Sequence, residues 1–208
     1  MPLLRSCLAT VLLVPVLAGA ARAQQGPAQP PLPPNGWRVD PNHSAVRFRV
    51  RHLGLTWVNG EFRIWTADLV YDPANPMGAR VTAQIQIASI NTDNENRDND
   101  LRSGRFFAAD SFPQMTFVST RVQPADSMHL TVTGDLTIRG VTRQVVLATE
   151  VLGMTTGARS RRIAFTATTT LNRRDWGMDF SPVMEGVRAA GDEIQITIDV
   201  EAVRPVGQ

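Results

Sequence analysis

The chain of 208 residues contains no lysine and a single cysteine, and only 6% of it is aromatic. Each shortage removes a class of function. Without lysine no GxxxxGK[ST] phosphate loop can form, and no GxGxxG occurs either. Cys7 lies near the start of the chain, so the rest is built without disulfides, thiolate metal sites or a thiol nucleophile. The absence of Gly-x-Ser-x-Gly removes the strand-to-helix serine nucleophile of the α/β-hydrolases. Histidine numbers only three. His43 and His52 lack HExxH spacing and have no third ligand nearby, so no metal site is expected. Asp93-Asn94-Glu95 and Asp98-Asn99-Asp100 lack the central glycine and closing glutamate of a calcium loop. They read as a solvated loop.

Charge excludes a further class. All 21 basic residues are arginine, set against 19 acidic ones. Arg5 and Arg22 fall in the first 23 residues, which hold no acid, and the remainder is balanced. A neutral chain with scattered arginine is a poor nucleic-acid binder, and no nucleic-acid partner is expected. Residues 1–23 read as a cleaved signal peptide. Arg5 starts it, Leu8 to Leu17 form an apolar run too short to span a bilayer, and Ala21-Arg22-Ala23 supplies a small-x-small cleavage site. The expected product is periplasmic, with no stable membrane insertion. Residues 24–36, with five prolines, read as an extended linker. The domain is expected over 37–204.

From Trp37 onward the pattern is strand-like alternation. Val46, Phe48 and Val50 share one face of Ser44 to His52, against Arg47, Arg49 and Arg51. Met128 to Arg139 repeats this with Met128, Leu130, Val132, Leu136 and Ile138 inward; Glu193 to Val203 does so with Ile194, Ile196, Ile198 and Val200. Arg80 to Ile87 and Arg162 to Leu171 follow more weakly, with Ile85, Ile87 and Phe165 inward, and Met115 to Val122 and Val141 to Leu152 read as strands of less clean phase. In Leu55 to Tyr71 the phase slips: Val58, Phe62 and Ile64 agree, while Leu69 and Tyr71 have the opposite parity. A bulge near Ile64-Trp65 would reconcile them. Only Asn94 to Phe107 suggests a short helix or ordered loop. The fold class is all-β, as a sandwich or a closed barrel. Small inward residues such as Gly60, Ala83, Gly134 and Ala167 fit either a lumen or tight packing, so periodicity leaves the two open.

Candidate functional side chains are few. His129 falls on the solvent face, and His43 suits the turn at Asp40-Pro41-Asn42. His52 ends an apolar row, as a satisfied core histidine or a contact for the polar end of a ligand. Trp176, Met178, Phe180 and Met184 lie in a long connection, Asp175 to Gly191, that either caps the core or forms an apolar lid.

Motifs spread along the domain give a resemblance. Val39-Asp40 with His43-Ser44, Phe48-x-Val50-x-His52-x-Gly54, Gly60-x-Phe62 and Ser89-Ile90-Asn91-Thr92 come first. Arg97-Asp98-x-x-Leu101-Arg102-Ser103 with Phe106, Pro113-x-x-x-Phe117, Gly134-Asp135-Leu136-Thr137-Ile138-x-Gly140-Val141-Thr142 and Asn172-Arg173-x-Asp175-Trp176-Gly177 follow. In this order they resemble the YceI-like family of exported lipid-binding proteins. The resemblance implies a single antiparallel, lipocalin-like barrel, non-enzymatic and without a cofactor. Its lumen would hold a polyisoprenoid or fatty lipid, for isoprenoid or quinone carriage, storage or stress protection. It leaves a homodimer open. With strand parity it implies a lining of Val46, Phe48, Val50, His52, Phe62, Ile64, Ile85, Ile87, Leu101, Phe106, Phe107, Phe117, Leu136, Ile138, Phe165, Arg173 and Trp176. His52 and Arg173 would stand at the mouth. Where many members read Asp-x-His-Leu, this chain has Asp98-Asn99-Asp100-Leu101. Two other readings compete: an enzyme on an isoprenoid-type lipid using His52, Arg173 and Asp175, and an interaction domain with a filled core.

Overall fold

Alternation puts the apolar side chains of each segment on one side of a pleated strand. In the computed structural model the strands curl until that side is enclosed. The structure describes residues 31–184 and 186–207, so the expected signal segment and most of the proline-rich linker lie outside the described residues. The strands are β1 (Gly36–Val39), β2 (Ala45–His52), β3 (Thr56–Phe62), β4 (Trp65–Val70), β5 (Arg80–Gln86), β6 (Ile90–Asn91) and β7 (Gln114–Pro124). They continue as β8 (His129–Ile138), β9 (Val141–Thr156), β10 (Ser160–Asn172), β11 (Val183–Met184), β12 (Val187–Arg188) and β13 (Ala190–Pro205). One α-helix, α1 (Glu95–Arg102), separates β6 from β7.

Three pairs of segments act as single barrel strands broken midway: β1 with β2, β3 with β4, and β5 with β6. The long β13 pairs first with β2 and then, at its far end, with β1. β3 lies between β2 and β6, while β4 lies between β1 and β5. With β7, β8, β9 and β10 completing the circuit, the result is a closed antiparallel barrel of eight strands; β11 and β12 form a separate hairpin. Hydroxyl groups take over ladder bonds at the breaks. Ser44 Oγ accepts from Glu201 N at 2.9 Å and donates to Glu201 O at 3.2 Å. Ser89 Oγ accepts from Ile64 N at 3.0 Å and donates to Gln86 O at 2.7 Å.

The breaks explain two departures from the expected lining. Phe62 and Trp65 both face inward although their parities differ, because the chain turns between them at Arg63-Ile64. The phase slip is therefore a strand break and not a bulge. Ile64 sits on the break itself and is 62% exposed, so it is not part of the lining. Ile87 follows the last residue of β5 and starts the turn Ile87–Ser89. It is wholly buried, yet it too lies outside the cavity wall, because period-two alternation stopped one residue earlier.

At two positions in the wall a bare strand lets an aromatic ring from its neighbour lie against it. A Cβ at Gly60 would lie 2.3 Å from Phe48 Cζ, and one at Gly134 would lie 2.4 Å from Phe117 Cζ. Each ring lies across a bare stretch of neighbouring strand, as when an aromatic side chain covers a strand glycine. Outside, β2 and β13 carry polar pairs such as Arg47–Asp199 at 2.7 Å and Arg49–Gln195 at 2.7 Å. A polar outside around an apolar inside is the reverse of a barrel that faces lipid.

Candidate functional site

The two ends of the barrel are closed by different means. At the end holding β1 and the end of β13, Trp37 and Tyr71 fill the interior. Trp37 Nε1 donates to Tyr71 O at 2.8 Å, and the Arg204 guanidinium stands 5.5 Å from the Trp37 ring centre. Tyr71 meets Phe165 edge-on with ring centres 5.1 Å apart. Burial pushes the Tyr71 phenol above its ordinary pKa, and the nearby Asp72 charge adds to this.

The opposite end is spanned by α1 and by the connection from β10 to β13. Asn94 caps the helix by accepting from Arg97 N. The buried Asp98 accepts from Thr92 N at 3.0 Å and from Thr92 Oγ1 at 2.5 Å. Arg97 donates to Thr92 Oγ1 and Thr92 O, both at 2.7 Å, and Arg102 donates to Ala88 O and Ile90 O. The acidic run is thus a mount that fixes the helix to β6 and turns Leu101 toward the interior. The connection from β10 is clasped by Arg173, whose side chain is 4% exposed. Its guanidinium donates to Gly191 O at 2.9 Å, Phe180 O at 2.8 Å, Asp192 Oδ1 at 2.8 Å and Met178 O. Burial pulls the Arg173 pKa below its usual value, and Asp192 opposes this. Trp176 Nε1 donates to Leu136 O at 3.3 Å, and Trp176 and Met178 are buried. This part of the connection is a fixed cap and not a free lid.

Between the two ends lies a cavity of about 490 Å³, inside the range of about 300–1,000 Å³ usual for small-molecule sites. Its walls are almost wholly apolar. Val46, Phe48 and Val50 line it from β2, Phe62 from β3, Ile85 from β5 and Phe117 from β7. Leu136 and Ile138 line it from β8 and Phe165 from β10. Leu101, Phe106, Phe107, Trp176, His52 and Arg173 reach it at the α1 end. Phe48, Phe62 and Phe107 form an aromatic run there, with ring centres 5.6 and 5.9 Å apart. Side chains at the Tyr71 end, including Val122 and Leu130, are buried, whereas Val50, Leu101 and Ala190 are half-buried and His52 is exposed. The mouth is therefore at the α1 end.

The polar lining is largely committed to the protein itself. His52 Nδ1 meets Ala189 O at 2.9 Å, Asp100 pairs with Arg105, and the Arg173 donors serve the clasp. Arg173 thus belongs to the frame of the mouth. His52, Arg173 and Asp175 share no hydrogen bond among the described residues, and the Asp175 carbonyl is held by Arg143. Several polar wall residues, Thr92, Thr149 and Thr169 among them, escaped sequence reading. Thr149 faces inward from β9 in the row Val145, Leu147, Thr149, and its buried Oγ1 has no partner among the described residues. A hydroxyl interrupting an inward aliphatic row was the available signal, and the unclear phase of that segment hid it.

His43 and His129 stand outside the cavity. His43 Nδ1 meets Asp40 Oδ2 at 3.1 Å, and His129 Nδ1 meets Asp126 at 2.9 Å. Their hydrogen bonds, with those from nearby backbone N–H groups, hold both carboxyls below the usual range. Asp40, His43 and Glu201 lie close enough to share an ion, but Arg162 occupies the two carboxylates.

A closed antiparallel barrel of lipocalin-like outline around an apolar cavity is the class of fold that these strands define. The chain belongs to the YceI-like family, whose domain model matches residues 37–202. It is 33% identical over 165 residues to Protein YceI of Escherichia coli O157:H7, covering 78% of this chain and 82% of that one. Among solved structures, Burkholderia cenocepacia BcnA matches with a TM-score of 0.70 at 24% identity, over 78% of this chain and 98% of that one. A polyisoprenoid binding domain from Saccharophagus degradans, implicated in plant cell wall breakdown, matches with a TM-score of 0.58 at 13% identity, over 80% and 97%.

Proposed function

We propose that this protein is an exported, non-enzymatic carrier or store of a polyisoprenoid or other long-chain lipid, working in the periplasm. The observation that carries the reading is the apolar cavity of about 490 Å³, which extends from the Trp37–Tyr71 end to the α1 end. Placing about 20 methylene-sized groups in such a space gains roughly 16 kcal/mol before association and ordering costs, at about 0.8 per group. A long chain can therefore be held with few polar contacts, and selection falls on length and bulk. His52, at the rim with Nδ1 engaged, keeps its other ring nitrogen for a polar end. The polyisoprenoid-binding activity of the Saccharophagus degradans domain, which shares the fold, supports this class of ligand.

The test is to extract purified protein with organic solvent and identify retained lipid by mass spectrometry. A long-chain lipid in stoichiometric amount is expected. Phe48→Asp or Ile138→Asp, each placing a carboxylate on the cavity wall, should abolish retention in a protein that keeps its strand circular dichroism. Unchanged retention in both folded variants would remove the cavity as the lipid site.

A further inference from the structure

Two surface loops beside the mouth are tied to each other. Leu53 N donates to Ala189 O at 3.0 Å, and Ala189 N donates to Pro182 O at 2.8 Å. The loop after β2 and the β11–β12 hairpin are therefore adjacent, and Ala189, which joins them, lines the cavity beside His52. Both loops carry bare aliphatic side chains: Leu55 is 74% exposed, Val183 65% and Met184 51%. Trp57 is next to them on the outer face of β3. The guanidinium carbons of Arg49 and Arg51 stand 4.5 and 4.0 Å from its ring centre.

The charges here are unlike those further down the same strand. Arg47 is paired with Asp199. Arg49 bonds to the neutral Gln195 side chain, Arg51 to Leu55 O, and Arg188 on the hairpin to Asp179 O. Among the described residues none of these three is paired with a carboxylate. Exposed aliphatic tips, an indole at their base and arginines that bond no carboxylate among the described residues form a combination that favours the boundary of an anionic bilayer.

We propose that the mouth docks on an anionic phospholipid bilayer through Leu55, Trp57, Val183 and Met184, with Arg49, Arg51 and Arg188 facing lipid headgroups. This rests on the lipid-carrier reading and deepens it: cargo then passes between bilayer and cavity without crossing open water. A bilayer suits the patch better than a protein partner because the patch adjoins the mouth of the apolar cavity.

The experiment is flotation of the full chain with phosphatidylcholine vesicles, with and without phosphatidylglycerol. Wild-type protein is expected to float with the phosphatidylglycerol vesicles and to be released by salt. Arg49→Gln combined with Arg51→Gln should lower that partition roughly 30-fold, at about a factor of five per arginine. Leu55→Asp should lower it about tenfold, while Met77→Asp, equally exposed at the sealed end, should leave it unchanged. All four positions are at the surface, and melting curves verify folding. Failure of wild-type protein to float, or equal losses in Leu55→Asp and Met77→Asp, overturns the docking proposal. Lipid content by solvent extraction is measured in parallel and should not change in Leu55→Asp. An empty wild-type cavity would defeat the carrier reading while flotation still decides the docking.

Discussion

The mouth and the sealed end of this barrel solve opposite problems with different chemistry. Irregular backbone covers the mouth, and its carbonyls find donors in buried or half-buried side chains: Arg173 serves three of them, Arg97 and Arg102 serve Thr92, Ala88 and Ile90. The sealed end is closed by the packing of Trp37, Tyr71 and Phe165, and farther along that interior Thr149 keeps a hydroxyl with no partner among the described residues. A polar frame can hold an opening in shape, because hydrogen bonds fix loops that have no strand neighbours. Apolar packing can close an end, because it needs no direction. The comparison teaches that burial of a charged side chain next to a cavity is not itself a sign of ligand contact.

This contrast can be broken most severely at Arg173. Arg173→Met leaves three carbonyls and Asp192 without their donor, and the expected loss is roughly 3–5 kcal/mol in denaturant unfolding. A loss below that seen on weakening the sealed end with Trp37→Phe would reverse the ranking of the two ends. In the wall between them, Gly134→Ala is expected to cost about 1–3 kcal/mol, because the new methyl meets the Phe117 ring. Adding Phe117→Leu should restore part of this; no recovery would mean that the Val118 carbonyl, 2.6 Å away, is the true obstacle. Thr149→Val should raise stability by about 1 kcal/mol, since it replaces an unpaired hydroxyl with a methyl of similar size. A fall in melting temperature would show that the hydroxyl has a partner after all.

The mildest probe uses the only tyrosine in the chain. Its phenol is raised above the ordinary value of about 10, so the folded state holds the proton more tightly than the unfolded state does. The resulting stability is fully present below about pH 10 and is lost as pH rises through the folded-state pKa. Phenolate absorbance should therefore appear later in folded than in unfolded protein, and Tyr71→Phe should flatten the fall of melting temperature above that pH. Superimposed titrations would place Tyr71 in water.

Much of the wall was readable residue by residue. The inward rows of β2, β8 and β13 and the outward position of His129 follow from alternation, and the helix near Asn94 from its interruption. Ile64 and Ile87 were misassigned because alternation was carried through breaks that no single strand announces. The pairs Ser44–Glu201 and Ile64–Ser89 that stabilise those breaks join residues far apart in sequence. Arg173 lines the cavity at the α1 end, but the acceptors that use up its donors come from a connection whose path periodicity does not describe.

Taken alone, the sequence determined which side chains point to the interior, since the pleat of a strand is set by each residue and its immediate neighbours. Tertiary structure decided that the interior is hollow. Whether facing rows meet or stand apart depends on how many strands close the circuit, on where they break, and on rings from one strand lying across glycines of the next. These are relations between distant segments, and no local pattern encodes them.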